Sequence, residues 1–499
     1  MVFPAYEVKS HMEESSGYKP LRLITREQAK HVFDVLADEY ALIPNPEGVF
    51  PSYDVVPLAP KVSELSVLPS AIFLDMDGTL TSTEELCLDA LETLLKRFTW
   101  NGSSSEVVHI RPETDLAHIV GQSTTRNVEY LIKTYRRSFH ARAVAEAFVE
   151  AVQWSWIKAQ SPQRRREAEA TLSALGLSDW IPPLNSAGRQ AADTRRWQTT
   201  ECSTRGDQQS NTQPSAAVLD ATPGPLPSRQ TWVEEFLQRV TLDDDALLRI
   251  GLEVYYQRQH TLLQAIDEAG DRREIAPAEK GFPEIRPLRG VTFFHVLVRG
   301  GLDTAEIQPE FLSLTTDECQ IWGGTGEIRQ RLFALAAALQ HAGPRFVLVT
   351  SSGSFETRII LKEVFRRMRE EVNAWPLQAA VRERIAARLD DPWSFYDAVL
   401  TADDAYELRL KPHRDLYTLA LEALHLTPSQ RESTLALEDT EAGILAARAA
   451  GIPMAIAVPF MSFGQDFSAA SFVADAGVPE VLCRRHLGIS RAALESYLP

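Results

Sequence analysis

Asp75 and Asp77 stand two residues apart at the end of an apolar run, in AIFLDMDGTL (71–80), with Gly78 and Thr79 turning the chain away. Ile72, Phe73 and Leu74, bounded by that turn signal, suit a buried central strand of a parallel sheet. Open α/β sheets bind ligands beyond the carboxyl ends of their strands, which is where this strand leaves its acids. Two carboxylates so close repel each other, so each needs a cation, a shared proton or good solvation. Mg²⁺ answers that need, because it is hard, prefers oxygen and is commonly held by one or two carboxylates plus substrate phosphate. One carboxylate can also attack phosphorus to form an aspartyl phosphate, and its neighbour can serve as general acid and base. The competing reading is a polar turn, with Asp and Gly chosen for local hydrogen bonding and positive φ.

Three later segments carry matching residue types. In FVLVTSS a strand delivers Thr350, Ser351 and Ser352 to a loop entering a helix, a favourable place for an anion or a plain helix cap. Lys411, in LRLKPHRDLYTLALEAL, offers a positive charge that can meet both phosphate and carboxylates, or is an exposed lysine before a proline-set turn. Glu438 and Asp439 end the run TLALE and open a helix. They are either further oxygen ligands for a metal or acids that complement the helix dipole.

In this order the four segments resemble the haloacid dehalogenase superfamily of phosphohydrolases, in its β-phosphoglucomutase and phosphoglycolate phosphatase-like branch. DMDGTL is similar to the first motif, FVLVTSS to the second, KPHRDLY to the third (KPxPDxY) and TLALEDTEAGILAARAAGI to the fourth. The resemblance implies that Asp75 attacks phosphorus, Asp77 protonates the leaving group and then activates water, and Thr350 and Lys411, with Ser351 and Ser352, hold the phosphoryl group. It implies Mg²⁺ on Asp75, the backbone carbonyl of Asp77, Asp439 and Glu438. HIVGQSTTRNVEYLI resembles the family's cap loop, which makes Gly121, Gln122, Ser123, Thr124 and Arg126 candidate specificity residues; Ser123 and Thr124 equally suit a helix cap. A dehalogenase would leave Asp77 and the Glu438/Asp439 pair without purpose, and the phosphonate-cleaving branch replaces the second acid. The mutase branch places a histidine where this chain has Cys87, which favours a phosphatase. A sugar-phosphate mutase and a non-catalytic binding protein stand as alternatives.

These residues need a scaffold. Strands expected near 71–75, 346–350, 398–400, 434–438 and 454–458 alternate with helical patterns, which predicts an α/β fold with a doubly wound, Rossmann-like parallel sheet. The resemblance assigns the residues after the first core strand to a large, mainly helical cap. The expected division is an N-terminal extension (1–69), an α/β core (70–86 and 327–499) and a cap (87–326). Helical spacing runs through 84–98, 139–180 and 231–268, with Arg164, Arg165 and Arg166 read as a solvated face. Residues 185–230, polar and poor in large aliphatics, read as a flexible insertion. RGVTFFHVLVRGG (289–301) reads as a strand or buried segment in which His295 is a satisfied core histidine. In the extension, 25–43 has helical spacing and 44–60 reads as an extended connector.

The 499 residues, 44% hydrophobic, can bury a large core. The net charge of −17 argues against nucleic acid or an anionic membrane as partner, and leaves a small phosphorylated metabolite as the expected one, since a metal and Lys411 can invert the local field. Cys87, Cys202, Cys319 and Cys483 show no paired spacing, so neither a zinc site nor a disulfide framework is signalled. The amino terminus has no long apolar core, so a cytoplasmic location is expected.

Overall fold

The computed structural model describes residues 25–45, 50–100, 102, 107–181, 228–271, 284–299, 302, 325–405, 409–461 and 463–497. The insertion expected at 185–230 lies almost wholly outside them. The described chain divides into two compact units: Met1–Leu86, Leu116–Gln122 and Leu263–Pro499 form the first, and Cys87–Asp115 with Ser123–Leu262 the second.

The first unit is built on a six-stranded sheet. Its strands β3 (Ala71–Leu74), β4 (Arg345–Val349), β5 (Ala398–Leu400), β6 (Thr434–Glu438), β7 (Met454–Ala457) and β8 (Phe472–Val473) lie in the order β5-β4-β3-β6-β7-β8. Every pairing is parallel, and β3, β6 and β7 are buried along their whole length. This is why they read as unbroken apolar runs rather than alternating ones: both faces of the sheet are covered. The α/β expectation and its strand positions are met, with β8 as an added short edge.

The register places the chemistry. Leu74 pairs with Leu348 on one side and Leu437 on the other, so the chain leaves three adjacent strands at one level, and Asp75, Thr350, Glu438 and Asp439 converge there. The strand order reverses around β3, giving the crevice in which open α/β sheets hold ligands.

The N-terminal segment departs from its expected form. A helix spans Arg26–Leu36, but Tyr40–Pro44 (β1) pairs antiparallel with Tyr53–Pro57 (β2). The apolar spacing that reads as helix through residue 43 ends in a strand, because the side chains alternate between faces once paired: Ala41 and Ile43 are buried, while Leu42 between them is exposed. This hairpin is tied to the sheet unit by Arg448, 1% exposed, whose guanidinium donates to Glu39 Oε2 at 2.6 Å and to the carbonyls of Ala59 and Ala469. Ala41, Ile43 and Leu58 pack against Ala449 beside it.

RGVTFFHVLVRGG forms a buried helix, Val291–Val298, not a strand; β-branched and aromatic composition yields to packing when a segment is covered on all sides. His295 within it is fully buried: Nδ1–H donates to the Val291 carbonyl at 2.9 Å and Nε2 accepts from Tyr396 Oη at 2.7 Å. Phe395 stacks on its ring at 5.5 Å. Burial pushes the imidazole down to about 4, so it is neutral at pH 7. Unfolding raises its pKa to the ordinary value, so the unfolded chain binds the extra proton between about pH 4 and 6.5, and native stability falls as pH drops through that window. Urea melts at pH 7 and 5 should show a loss of about 2 kcal/mol from this residue, and His295→Gln should remove that part of the pH dependence.

The second unit is helical. Ala141–Ile157 buries alanines, valines and Phe148 around most of its circumference, and Phe148 meets Phe236 of the helix Arg229–Arg239 at 5.4 Å. The basic run 164–166 is not uniformly solvated. Arg164 is 3% exposed and donates to Glu253 Oε2 at 2.8 Å, while Thr171 donates to Oε1; Arg165 is partly buried and Arg166 is exposed. A charge run cannot report that one of its members faces a buried acid 89 residues away. Cys483 is disulfide-bonded although its sequence spacing signals no pair. Among the described residues no helix is long and apolar enough to cross a membrane.

Candidate active site

Asp75 comes directly after β3 and is 6% exposed. Its amide donates to the Leu437 carbonyl at 3.1 Å, which keeps the residue in line with the neighbouring strand. Oδ1 accepts from Lys411 Nζ at 2.6 Å, and Oδ2 is buried with no hydrogen-bond partner. Lys411 is held by two further contacts, 2.8 Å to the Val349 carbonyl and 2.8 Å to Glu438 Oε1. Burial alone would lower its pKa, but Asp75 and Glu438 on either side more than reverse that and raise it. The ammonium is therefore charged wherever the protein is folded.

Asp77 sits in the turn after Met76. Its Oδ1 accepts from Thr83, and its Oδ2 accepts from Ser352 Oγ at 2.7 Å and Thr350 Oγ1 at 3.1 Å. Burial and then the charge of Asp75 raise its pKa, partly opposed by these hydroxyls. A proton on Asp77 is thus favoured, which suits an acid role for it. The second-motif loop is compact: the Ser352 amide donates to Thr350 Oγ1 at 3.0 Å. Ser351 Oγ is buried and has no partner.

Glu438 and Asp439 complete the cluster. Oxygen atoms of Asp75, Glu438 and Asp439 all lie within 4.8 Å of one another, and Glu438 Oε2, like Asp75 Oδ2, is buried and unpartnered. Burial raises the Glu438 carboxyl to about 7, with Lys411 opposing and Asp75 adding to the rise. Asp439 is raised well above the ordinary range by burial and by the charges of Asp75, Glu84 and Glu438. Two glycines make the crowding possible. A Cβ on Gly78, at φ +79°, would lie 1.9 Å from Asp439 Oδ2, and one on Gly443 would lie 1.8 Å from Glu438 Oε2.

Three converging acids, two orphaned buried oxygens and one lysine fit a hard divalent cation. Buried carboxylates need a counter-charge, and one ammonium does not satisfy them. Because metal binding requires ionised ligands, lowering the pH below about 7 should weaken Mg²⁺ binding about tenfold per unit for each proton that Glu438 must release. Without metal, the raised Glu438 pKa makes the native state bind the extra proton between about pH 4.5 and 7. Its stability contribution is then full below that window and is lost as pH rises through it. Calorimetric titration of Mg²⁺ at pH 6 and 8, with thermal melts in EDTA and in Mg²⁺, reads both effects; metal should flatten the pH slope.

Three residues here escape a reading of the sequence. Thr83 bonds Asp77. Glu84, half-buried, is raised to about 7 by burial and by the charges of Asp77 and Asp75. Tyr417 donates to Glu438, and Lys411 stands 5.4 Å over its ring. Tyr417 lies six residues after Lys411 within the third motif, where its position is visible but its polar partner is not.

The residues expected to select substrate do not fall in one unit. Gly121 and Gln122 belong to the first and Ser123 and Arg126 to the second. A Cβ on Gly121, at φ +74°, would lie 2.8 Å from the Gln465 amide; Gln465 Oε1 accepts from the amide of Glu441, which opens the helix after Asp439. Ser123 is the N-cap of the helix Thr124–Tyr135, accepting from the Arg126 amide at 3.4 Å. That meets the capping reading of Ser123.

No protein-family pattern matches the sequence. Among curated proteins the chain is similar to Protein CbbY of Rhodobacter capsulatus, 32% identical over 133 residues, 26% of this chain and 57% of that protein. The chain thus spans little more than half the length of this curated relative. Among solved structures it is similar to CbbY from Rhodobacter sphaeroides in complex with phosphate, at 15% identity over 85% of this chain and 100% of that one, with a TM-score of 0.32. It is also similar to a HAD family hydrolase from Deinococcus radiodurans R1 with bound phosphate and sodium, at 13% identity over 85% and 97%, with a TM-score of 0.33.

Proposed function

We propose that this chain, of haloacid dehalogenase type by its four ordered motifs, its parallel sheet and its curated relative, is a Mg²⁺-dependent phosphatase acting on a small phosphorylated metabolite. One observation carries the reading: Lys411 bridges Asp75 and Glu438, while Asp77 gathers the hydroxyls of Thr350 and Ser352 from the neighbouring strand end. A charge-neutralising group, a nucleophile, an acid and phosphate-binding hydroxyls thereby meet at one sheet edge.

In this mechanism an Asp75 oxygen attacks phosphorus as the ester P–O bond breaks. Asp77 gives its proton to the departing oxygen. The resulting Asp77 carboxylate takes a proton from water, whose oxygen attacks the aspartyl phosphate and releases inorganic phosphate, returning Asp75 as carboxylate and Asp77 as acid. Lys411, Thr350 and Ser351 hold the phosphoryl oxygens, and Asp75, Asp77 through its carbonyl, Asp439 and Glu438 would hold the metal. A bound Mg²⁺ supplies charge neutralisation for the phosphoryl group. The remaining acceleration comes from positioning, which the shared level of the three strand ends provides.

The test is release of inorganic phosphate from p-nitrophenyl phosphate and a panel of metabolite phosphoesters, with and without Mg²⁺. Metal-dependent release supports the reading. Isomerised sugar phosphate with organic phosphate conserved would make the chain a mutase, and no turnover of any panel member would leave a binding role.

A further inference from the structure

At the other end of the sheet a cavity of about 240 Å³ is lined by Arg331, Arg484, Arg485, Arg491 and His486, with a single carboxylate, Glu64. Phe472, the first residue of β8, forms part of its wall. Gly488 lies against Met454, the first residue of β7: a Cβ there would be 2.4 Å from the Met454 sulfur. The cavity therefore sits where the parallel strands begin, whereas Asp75, Thr350 and Asp439 lie just past their carboxyl ends.

In a chain of net charge −17, four guanidiniums around one cavity are a local inversion of charge. Arg485 lies over the Phe472 ring at 5.1 Å, which fixes one fork at the wall. Arg484 and Arg491 pair with Glu480 at 3.0 Å and Glu495 at 3.6 Å, but the two arginines are 51% and 78% exposed. The Arg491–Glu495 pair is exposed on both sides and holds weakly, so that guanidinium can turn toward an anion, whereas Glu480 is 6% exposed and holds Arg484 at the rim by one nitrogen. His486 is different: it is 6% exposed and its Nε2 is buried without a hydrogen-bond partner. Its backbone, with that of Leu487, lies in the left-handed region at φ 47° and 58°, a conformation that non-glycine residues rarely hold and that clusters at binding sites. Burial and then the charge of Arg331 lower the imidazole to about 4, so at pH 7 it is neutral and forms an uncharged part of the wall.

We propose that this cavity binds the phosphate group of a small metabolite, with the arginine forks on its oxygens. Guanidinium forks match phosphate geometry better than a point charge does. The volume lies below the range of about 300–1,000 Å³ usual for drug-sized ligands, which suits a phosphate with a few carbon atoms and excludes a polymer. This second site does not depend on the phosphatase reading.

The probe is inorganic phosphate, titrated calorimetrically into the full chain in EDTA. Four proteins are compared: wild type, Thr350→Ala/Ser352→Ala, Arg331→Gln/Arg485→Gln, and His486→Asn, since Asn tolerates the left-handed backbone. Wild type, the Thr350/Ser352 variant and His486→Asn should share a binding event that weakens at least tenfold in the arginine variant, with unchanged circular dichroism. Phosphate binding that the arginine changes leave untouched would overturn the proposal, as would no binding to the Thr350/Ser352 variant at about 10 mM phosphate. Failure of phosphoester turnover in all four proteins would overturn the phosphatase reading and leave this one standing.

Discussion

Asp75→Asn should lower phosphatase turnover on the order of 10⁴-fold or more while leaving the fold intact. The amide has the shape of the carboxylate but lacks its charge and nucleophilicity. Structural collapse is not expected, because the Asp75 charge is one of the influences that raise Asp77, Glu84, Glu438 and Asp439. Removing it relieves repulsion in a buried cluster, and Lys411 keeps Glu438 as a partner. Thermal melts in EDTA should therefore show a midpoint equal to or above that of wild type, alongside inactive protein. An active variant would sink the nucleophile assignment, and a large drop in melting temperature would show that Asp75 is there for structure.

The second large effect concerns Lys411. Lys411→Met keeps length and packing but strips the counter-charge from Asp75 and Glu438, two carboxylates that are 6% and 0% exposed. Breaking a buried pair by removing one partner costs about 3–5 kcal/mol, because the remaining charge is left uncompensated. The sign with pH comes from Glu438, whose carboxyl is raised to about 7: it is charged without its ammonium partner at pH 8 and takes up a proton as pH falls through 7, so the deficit should be greatest at high pH and shrink toward pH 5. Turnover should fall about 10²–10³-fold, the usual loss on removing one preorganised group that stabilises developing charge. Urea melts of both proteins at pH 5 and 8, with initial rates in Mg²⁺, check both statements. A variant of wild-type stability at pH 8 would show that Lys411 is not the cation on which the cluster depends.

Much of this site is legible in the amino-acid sequence. Asp75, Asp77, Thr350, Lys411, Glu438 and Asp439 can all be named from strand-end position, residue type and motif order, and they converge because β3, β4 and β6 are adjacent and in register. Fully buried strands announce themselves as continuous apolar runs, and the residues just past such a run must emerge at the edge of the sheet. The extension is less readable. The residues from Tyr40 to Ile43 satisfy a helical spacing as well as a strand, and only pairing with β2 and the anchor at Arg448 decides between them. The segment around His295, read as a strand or a buried segment, is buried with its histidine satisfied but is helical, since a short apolar run buried on every side has no periodicity to separate helix from strand.

The residue types that stand at the carboxyl edge of the sheet are set by local pattern, because strand-terminal positions follow from where an apolar run stops. How their charges are compensated depends on the three-dimensional packing. That Lys411 lies between Asp75 and Glu438, that Asp77 collects three hydroxyls, that Tyr417 bonds Glu438, and that Arg164 belongs to Glu253 rather than to solvent are all through-space facts. Coulombic and desolvation energies depend on distance and burial, which no local window of residues contains.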